Sequence, residues 1–156
     1  MTIASHQSQL NSHHDLYEQD FCLWVEKASS LLRAGRFDDL DMENLLEEIE
    51  DISNRQKQAL ESNLEVLLMH LLKYRYQPDE RSNSWRYIII EHRRRIQRAF
   101  KGSPSLKRYF LEILDEAYEA SRESASAETG LEIDVFPVDS LFSPEQVLDK
   151  KYLPEE

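Results

Sequence analysis

Between Gly35 and Pro78 the chain contains neither glycine nor proline. Those two residues most often stop a helix, so residues 36–77 are free to form one long rod. Leu45, Ile49, Ile52, Leu60, Leu64, Leu67, Leu71 and Tyr74 supply an apolar face at helical spacing along it. Asp41 is a good N-cap, and Leu40 and Leu45 occupy the two staple positions around it. The sequence therefore predicts a helix over 41–75, weakest at the polar patch 53–58, where a break would fall.

The flanking segments read the same way. Tyr17, Phe21, Trp24, Ala28, Leu31 and Leu32 predict a first helix from Asp15 to Ala34, ended by Gly35. Pro78 sits in a turn over 77–83. A third helix follows, capped by Ser82 or Ser84 and carrying Trp85, Ile89, His92, Ile96 and Ala99 on one face. Ser103-Pro104 predicts the start of a fourth helix that frays through 121–128 and ends at Gly130. Residues 131–142 read as irregular, and Ser143-Pro144-Glu145-Gln146 is a capping box opening a short helix over 143–151. The expected fold is all-α: an antiparallel four-helix bundle-like single domain with a long second helix and a short C-terminal helix. The expected organisation is a disordered tail at 1–14, a helical bundle at 15–130 and an irregular extension at 131–156.

Cys22 is the only cysteine of 156 residues, which excludes an internal disulfide and fits a reducing compartment. No run of eighteen apolar residues occurs, and the first residues lack the charge and apolar core of a secretory signal, so the expected location is cytoplasmic, away from membranes. The net charge of −11 is unevenly spread. Residues 1–51 carry twelve acidic and three basic side chains, residues 81–108 carry nine basic and one acidic, and residues 109–156 carry thirteen acidic and three basic. One basic segment lies between two acidic ones.

Three blocks, LYEQDFCLWVEKASSLLRAGRFDDLDMENLLEEIEDI, LLMHLLKYRYQPDERSNSWRYIIIEHRRRI and SPSLKRYFLEILDEAYEASRESASAETGL, resemble the bacterial, cyanobacteria-rich family catalogued as domain of unknown function 29. The similarity runs over roughly residues 15–154. It implies an all-helical fold and a small bacterial protein. It implies no activity and supplies no catalytic residue.

Four groups of residues are candidate sites. His70 and His92 would lie at nearby heights in an antiparallel hairpin centred near residue 80, where two imidazoles could hold a metal ion. The favoured alternative is two core histidines bonded to backbone carbonyls, and no metal or other cofactor is expected. Arg94, Arg95 and Arg98, with Arg86 and Arg93, make the helix over 85–101 a candidate nucleic-acid surface. Pairing of those arginines with Glu61, Glu65, Glu112, Asp115, Glu116 and Glu119 on the neighbouring helices is the preferred expectation. Glu47, Glu48, Glu50 and Asp51 read as a solvated acidic face. Lys73, Gln77, Arg81 and Trp85 gather donors and an indole at the turn, where a partner could dock. The head histidines His6, His13 and His14 are expected in the floppy tail.

No phosphate loop, Ser-His-Asp arrangement or CxxC pair occurs. The expected role is that of a non-enzymatic protein-interaction or regulatory module with a protein partner. Nucleic-acid binding stands second and a metal protein third.

Overall fold

Asp20 interrupts the apolar periodicity of the first predicted helix with a residue that prefers a cap. In a computed structural model, which describes residues 12–155, its backbone is extended and its carboxylate accepts the Leu23 amide at 3.0 Å. The expected single helix is therefore two, α1 (His13–Gln19) and α2 (Phe21–Arg33), with Asp20 ending one and capping the other. Ser12 and Asp15 form a capping box at the start of α1, so His13 and His14 belong to a helix and not to a tail. Residues 1–11, including His6, lie outside the described residues. Gly35 has φ +69°, the left-handed turn that a glycine supplies after a helix.

The long rod forms as α3 (Met42–Tyr76), unbroken through the polar patch at 53–58. Ser82 accepts the Trp85 amide at 3.2 Å and starts α4 (Asn83–Gly102). The next helix, α5, runs Leu106–Thr129; Ser105 precedes it without a side-chain cap bond, and the Ser103 hydroxyl, the expected cap, donates to Gln56 at 3.0 Å. Fraying from residue 121 does not occur: Ser121, Arg122 and Ala125 are buried, and α5 runs on to a left-handed Gly130 at φ +75°. The closing helix α6 (Pro144–Leu148) has the expected capping box between Ser143 and Gln146 but stops at Asp149, whose side chain turns to the Lys151 amide. The described residues contain no strand, and the all-helical class holds.

The chain divides into two compact units, one ending at Asn54 and the other beginning at Arg55. In the first, α1, α2 and the start of α3 bury Leu16, Trp24, Ala28, Leu31 and Leu40. Ile49 and Ile52, assigned by periodicity to the core face, are exposed at 55% and 57%. Among the described residues, that stretch of rod therefore leaves part of its apolar face exposed.

In the second unit Leu60, Leu64, Leu67, Leu71 and Tyr74 line the buried face of α3, against Ile89, Ile96 and Phe100 of α4 and Phe110 and Ile113 of α5. Burial of each such side chain contributes about 1.5–3 kcal/mol. The α3–α4 fold-back is centred near residue 80: Tyr74 meets Arg86 at one end and Gln56 meets Ser103 at the other. Beyond α5 the chain turns back through a short 3₁₀ turn, Ile133–Val135, and seats Phe136, Phe142 and Val147 in the same core.

Candidate binding surfaces

Arg93 sits four residues after Ile89 and three before Ile96, so helical phase turns it into the core. Only 2% of it is exposed. Its guanidinium donates to the carbonyls of Val147 (2.8 Å), Gln146 (3.1 Å) and Tyr152 (2.8 Å). Burial lowers its pKa to about 10 while the Asp149 carboxylate works the other way, so the group is fully charged at neutral pH. Arg94 and Arg95 both pair with Glu91 on their own helix, at 3.2 Å each. Those arginines, Arg95 first, hold the Glu91 carboxyl below its ordinary pKa.

Among the described residues, these arginines are thus not paired with acidic residues of the neighbouring helices. Glu61 accepts instead from the Tyr109 hydroxyl and pushes that phenol up to about 12. Glu112 pairs with Arg108 and Glu119 with Arg122, three or four residues away on the same helix. Glu65 has a raised pKa, chiefly from burial and then from Glu61 and Glu116 nearby. Arg94, Arg98 and Lys101 occupy the outer side of α4. With Ile90, Arg93, Gln97 and Lys150 they line a groove of about 380 Å³.

The turn candidates are brought together, but largely by each other. Lys73 is buried; its ammonium sits 2.5 Å from Glu128 and 4.5 Å above the Trp85 ring. Arg81 donates to the Tyr74 carbonyl at 2.6 Å and to the Glu155 carbonyl at 3.2 Å, and its guanidinium stacks on the Tyr74 ring. Trp85 packs against the core of the second unit. Gln77 closes the helix end through its amide, which donates to the Lys73 carbonyl at 2.9 Å.

Each of His70 and His92 contacts the carbonyl one turn back through its Nδ1, Val66 and Ile88 respectively, both at 2.8 Å. Burial lowers the His70 pKa. Among the described residues no three His, Cys, Asp or Glu side chains are grouped as a metal would need. The exposed Cys22 lies outside the core.

A polar cluster in the first unit escaped sequence reasoning. The buried His13 ring accepts the Asp41 amide at Nδ1 (2.9 Å) and donates from Nε2 to the Trp24 carbonyl (2.9 Å), which fixes the neutral tautomer. The Asp41 carboxylate accepts from the Trp24 indole (3.1 Å) and the Asn44 amide (2.8 Å) and pairs with His14 (3.1 Å). Burial alone would raise the Asp41 pKa; the hydrogen bonds of Asn44, His14 and Trp24 outweigh it and hold the carboxyl low. The His14 pKa is raised by the hydrogen bond and charge of Asp41. A signal was present: His13 precedes Leu16 by three residues, on the apolar side of α1.

Around this cluster the surface is unusually apolar. Of fourteen exposed large hydrophobic residues in the described chain, nine fall between Phe21 and Ile52. On α3, Met42, Leu46 and Ile49 recur at steps of four and three, a continuous exposed stripe, with Ile52 beside it. Glu43, Glu47 and Glu50 flank the stripe, in a segment with twelve acidic and three basic residues.

These features define a small, acidic, all-helical protein with charged and apolar surfaces. The family model for Domain of unknown function DUF29 matches residues 16–153, and the chain belongs to that family. No curated protein and no solved structure matches it. No helix among the described residues is long and apolar enough to cross a membrane.

Proposed function

We propose that the chain is a non-enzymatic protein-interaction module that works in the cytoplasm, with its docking face on the N-terminal unit. One observation carries this: the concentration of exposed apolar side chains on α2 and the start of α3, in a strongly acidic setting. Monomeric proteins rarely leave such surface bare, and contiguous exposed patches mark interaction sites. The charge selects the partner. A second copy of the same face would set Glu43, Glu47 and Glu50 against the same three carboxylates. A cationic amphipathic helix would lay apolar anchors on Met42, Leu46 and Ile49 and basic residues against Glu43, Glu47 and Glu50. Nucleic-acid binding through the helix over 85–101 is supported less well, because Arg93 is committed to carbonyls and Arg94 and Arg95 to Glu91.

Calorimetry with a designed Leu/Lys amphipathic peptide tests the proposal, with a Leu/Glu peptide of the same pattern as the comparison. The double change Leu46→Gln, Ile49→Gln should leave the circular dichroism unaltered. It should remove about 2–4 kcal/mol of binding, at least 30-fold in affinity. Equal binding of the acidic peptide, or undiminished binding by the variant, would overturn the proposal.

A further inference from the structure

The groove on the outer side of α4 belongs to the second unit and does not depend on the N-terminal docking face. Five of its seven lining residues are cationic and none is acidic. Arg93 and Arg94 spend their guanidinium groups on backbone carbonyls and on Glu91. Arg98, Lys101 and Lys150 have no hydrogen-bond or ion-pair partner among the described residues. Of the acids on neighbouring turns, Glu91 is engaged by Arg94 and Arg95, with the charge of Arg98 adding to theirs, and Asp149 accepts the Lys151 amide. The remaining lining is the side chain of Ile90, 48% exposed, Gln97, and the methylene stems of the long basic residues. Such stems present hydrocarbon while their heads stay wet.

Size decides the class of occupant. A stable protein interface covers roughly 800 Å² per partner, whereas small-molecule sites enclose about 300–1,000 Å³. At about 380 Å³ the groove suits a small molecule. A nucleic-acid strand fits less well. Tyr87, the exposed aromatic of α4, is not part of the lining, so no ring is offered for a base to stack on. The chain's charge of −11 also repels a polyanion.

The geometry points to this groove as a binding site for a single-headed anionic amphiphile. A carboxylate or phosphate head would sit on Arg98, Lys101 and Lys150, and a short alkyl chain would lie along Ile90 and the arginine stems. The two head groups share one chemistry: a compact anion on an apolar body.

Calorimetry with decanoate and with decyl phosphate, both below their micelle concentrations, tests this on the full chain. Decanol, inorganic phosphate and a single-stranded RNA are the comparisons. Saturable one-to-one binding of either amphiphile is expected, and which of the two binds identifies the head group. Lys101 and Lys150 do not line the neighbouring groove on the α3 side of α4, so Lys101→Gln with Lys150→Gln isolates this site. Those two changes are expected to weaken binding at least tenfold, as is Ile90→Ser, and Arg108→Gln elsewhere on the surface should change nothing. Decanol binding as tightly as the anions, unchanged binding in the double variant, or RNA binding without amphiphile binding would each overturn the assignment.

Discussion

Replacing Arg93 by methionine isolates the interaction that fixes the C-terminal segment. Methionine keeps much of the hydrocarbon volume and removes all the donors. The carbonyls of Val147, Gln146 and Tyr152 then lose their partners at once. A buried acceptor left unpaired costs about 1–3 kcal/mol, and bonds to a charged donor lie towards the upper end. Two of the three groups are only partly buried, and removing the buried guanidinium recovers some desolvation cost. The expected net loss is about 2–5 kcal/mol, a large fraction of the roughly 5–15 kcal/mol that holds a domain together. All three acceptors lie in residues 146–152, so the loss should be local before it is global. The amides of Val147 and Asp149, which donate to Ser143 and Glu145, should exchange with solvent deuterium at least 30-fold faster. Amides in the α3 core should slow or quicken only with global stability. Arg93→Lys, which keeps the charge and loses the fork, should fall between. An unfolding free energy from urea titration within about 0.5 kcal/mol of the parent and unchanged exchange at residues 147 and 149 would refute the reasoning.

Three further outcomes follow from the same geometry. Burial lowers the His70 pKa below its unfolded value, so the unfolded chain takes up the proton first and stability should fall as pH drops through about 6.5; His70→Gln should flatten that slope in urea titrations at pH 5–7.5, and an identical slope would argue against it. Trp24→Phe removes the indole donor to Asp41 and should cost about 1–3 kcal/mol, read by hydrogen exchange within residues 13–45, with residues 60–125 unaffected. Asp20→Ala removes the cap of α2 and should cost about 1 kcal/mol, whereas Asp20→Asn should cost much less; equal losses in thermal melts would show that the cap is not the cause.

Much of this fold was legible because its signals are local. The missing glycine and proline define α3, Ser82 and Ser143 act as the caps their surroundings suggest, and the fold-back at Pro78 falls where the turn residues put it. The misses share a cause. Asp20 looks like one more polar residue in an amphipathic helix until its side chain is seen to cap Leu23. Ile49 and Ile52 carry the same periodicity as Leu60 and Leu64, but periodicity reports a face and not whether anything covers it. Arg93 and Arg94 are chemically identical neighbours; only the phase with Ile89 and Ile96 separates the buried one from the exposed one. His13 and His14 differ in the same way, one locked between Asp41 and Trp24 and the other reaching outward to the Asp41 carboxylate.

Arginines that serve backbone carbonyls, Arg81 and the buried Arg93 among them, also account for part of the basic segment. A chain that leaves a helix and crosses a core without regular structure carries carbonyls that no neighbouring turn can satisfy. In the second unit those carbonyls are met by arginine forks. Arg122 donates to Phe136 and Ile133, Arg93 to Gln146, Val147 and Tyr152, and Arg81 to Pro154 and Glu155. Three guanidinium groups thus hold residues 133–155 at successive points, and no buried side-chain nitrogen or oxygen lacks a partner among the described residues. A lysine, with one rotating head, could not serve three carbonyls in one plane as Arg93 does. The arginines that remain on the outside of α4 are therefore a smaller set than the sequence suggests. It is that remainder, Arg98 with Lys101 and Lys150, that is left to meet an external anion.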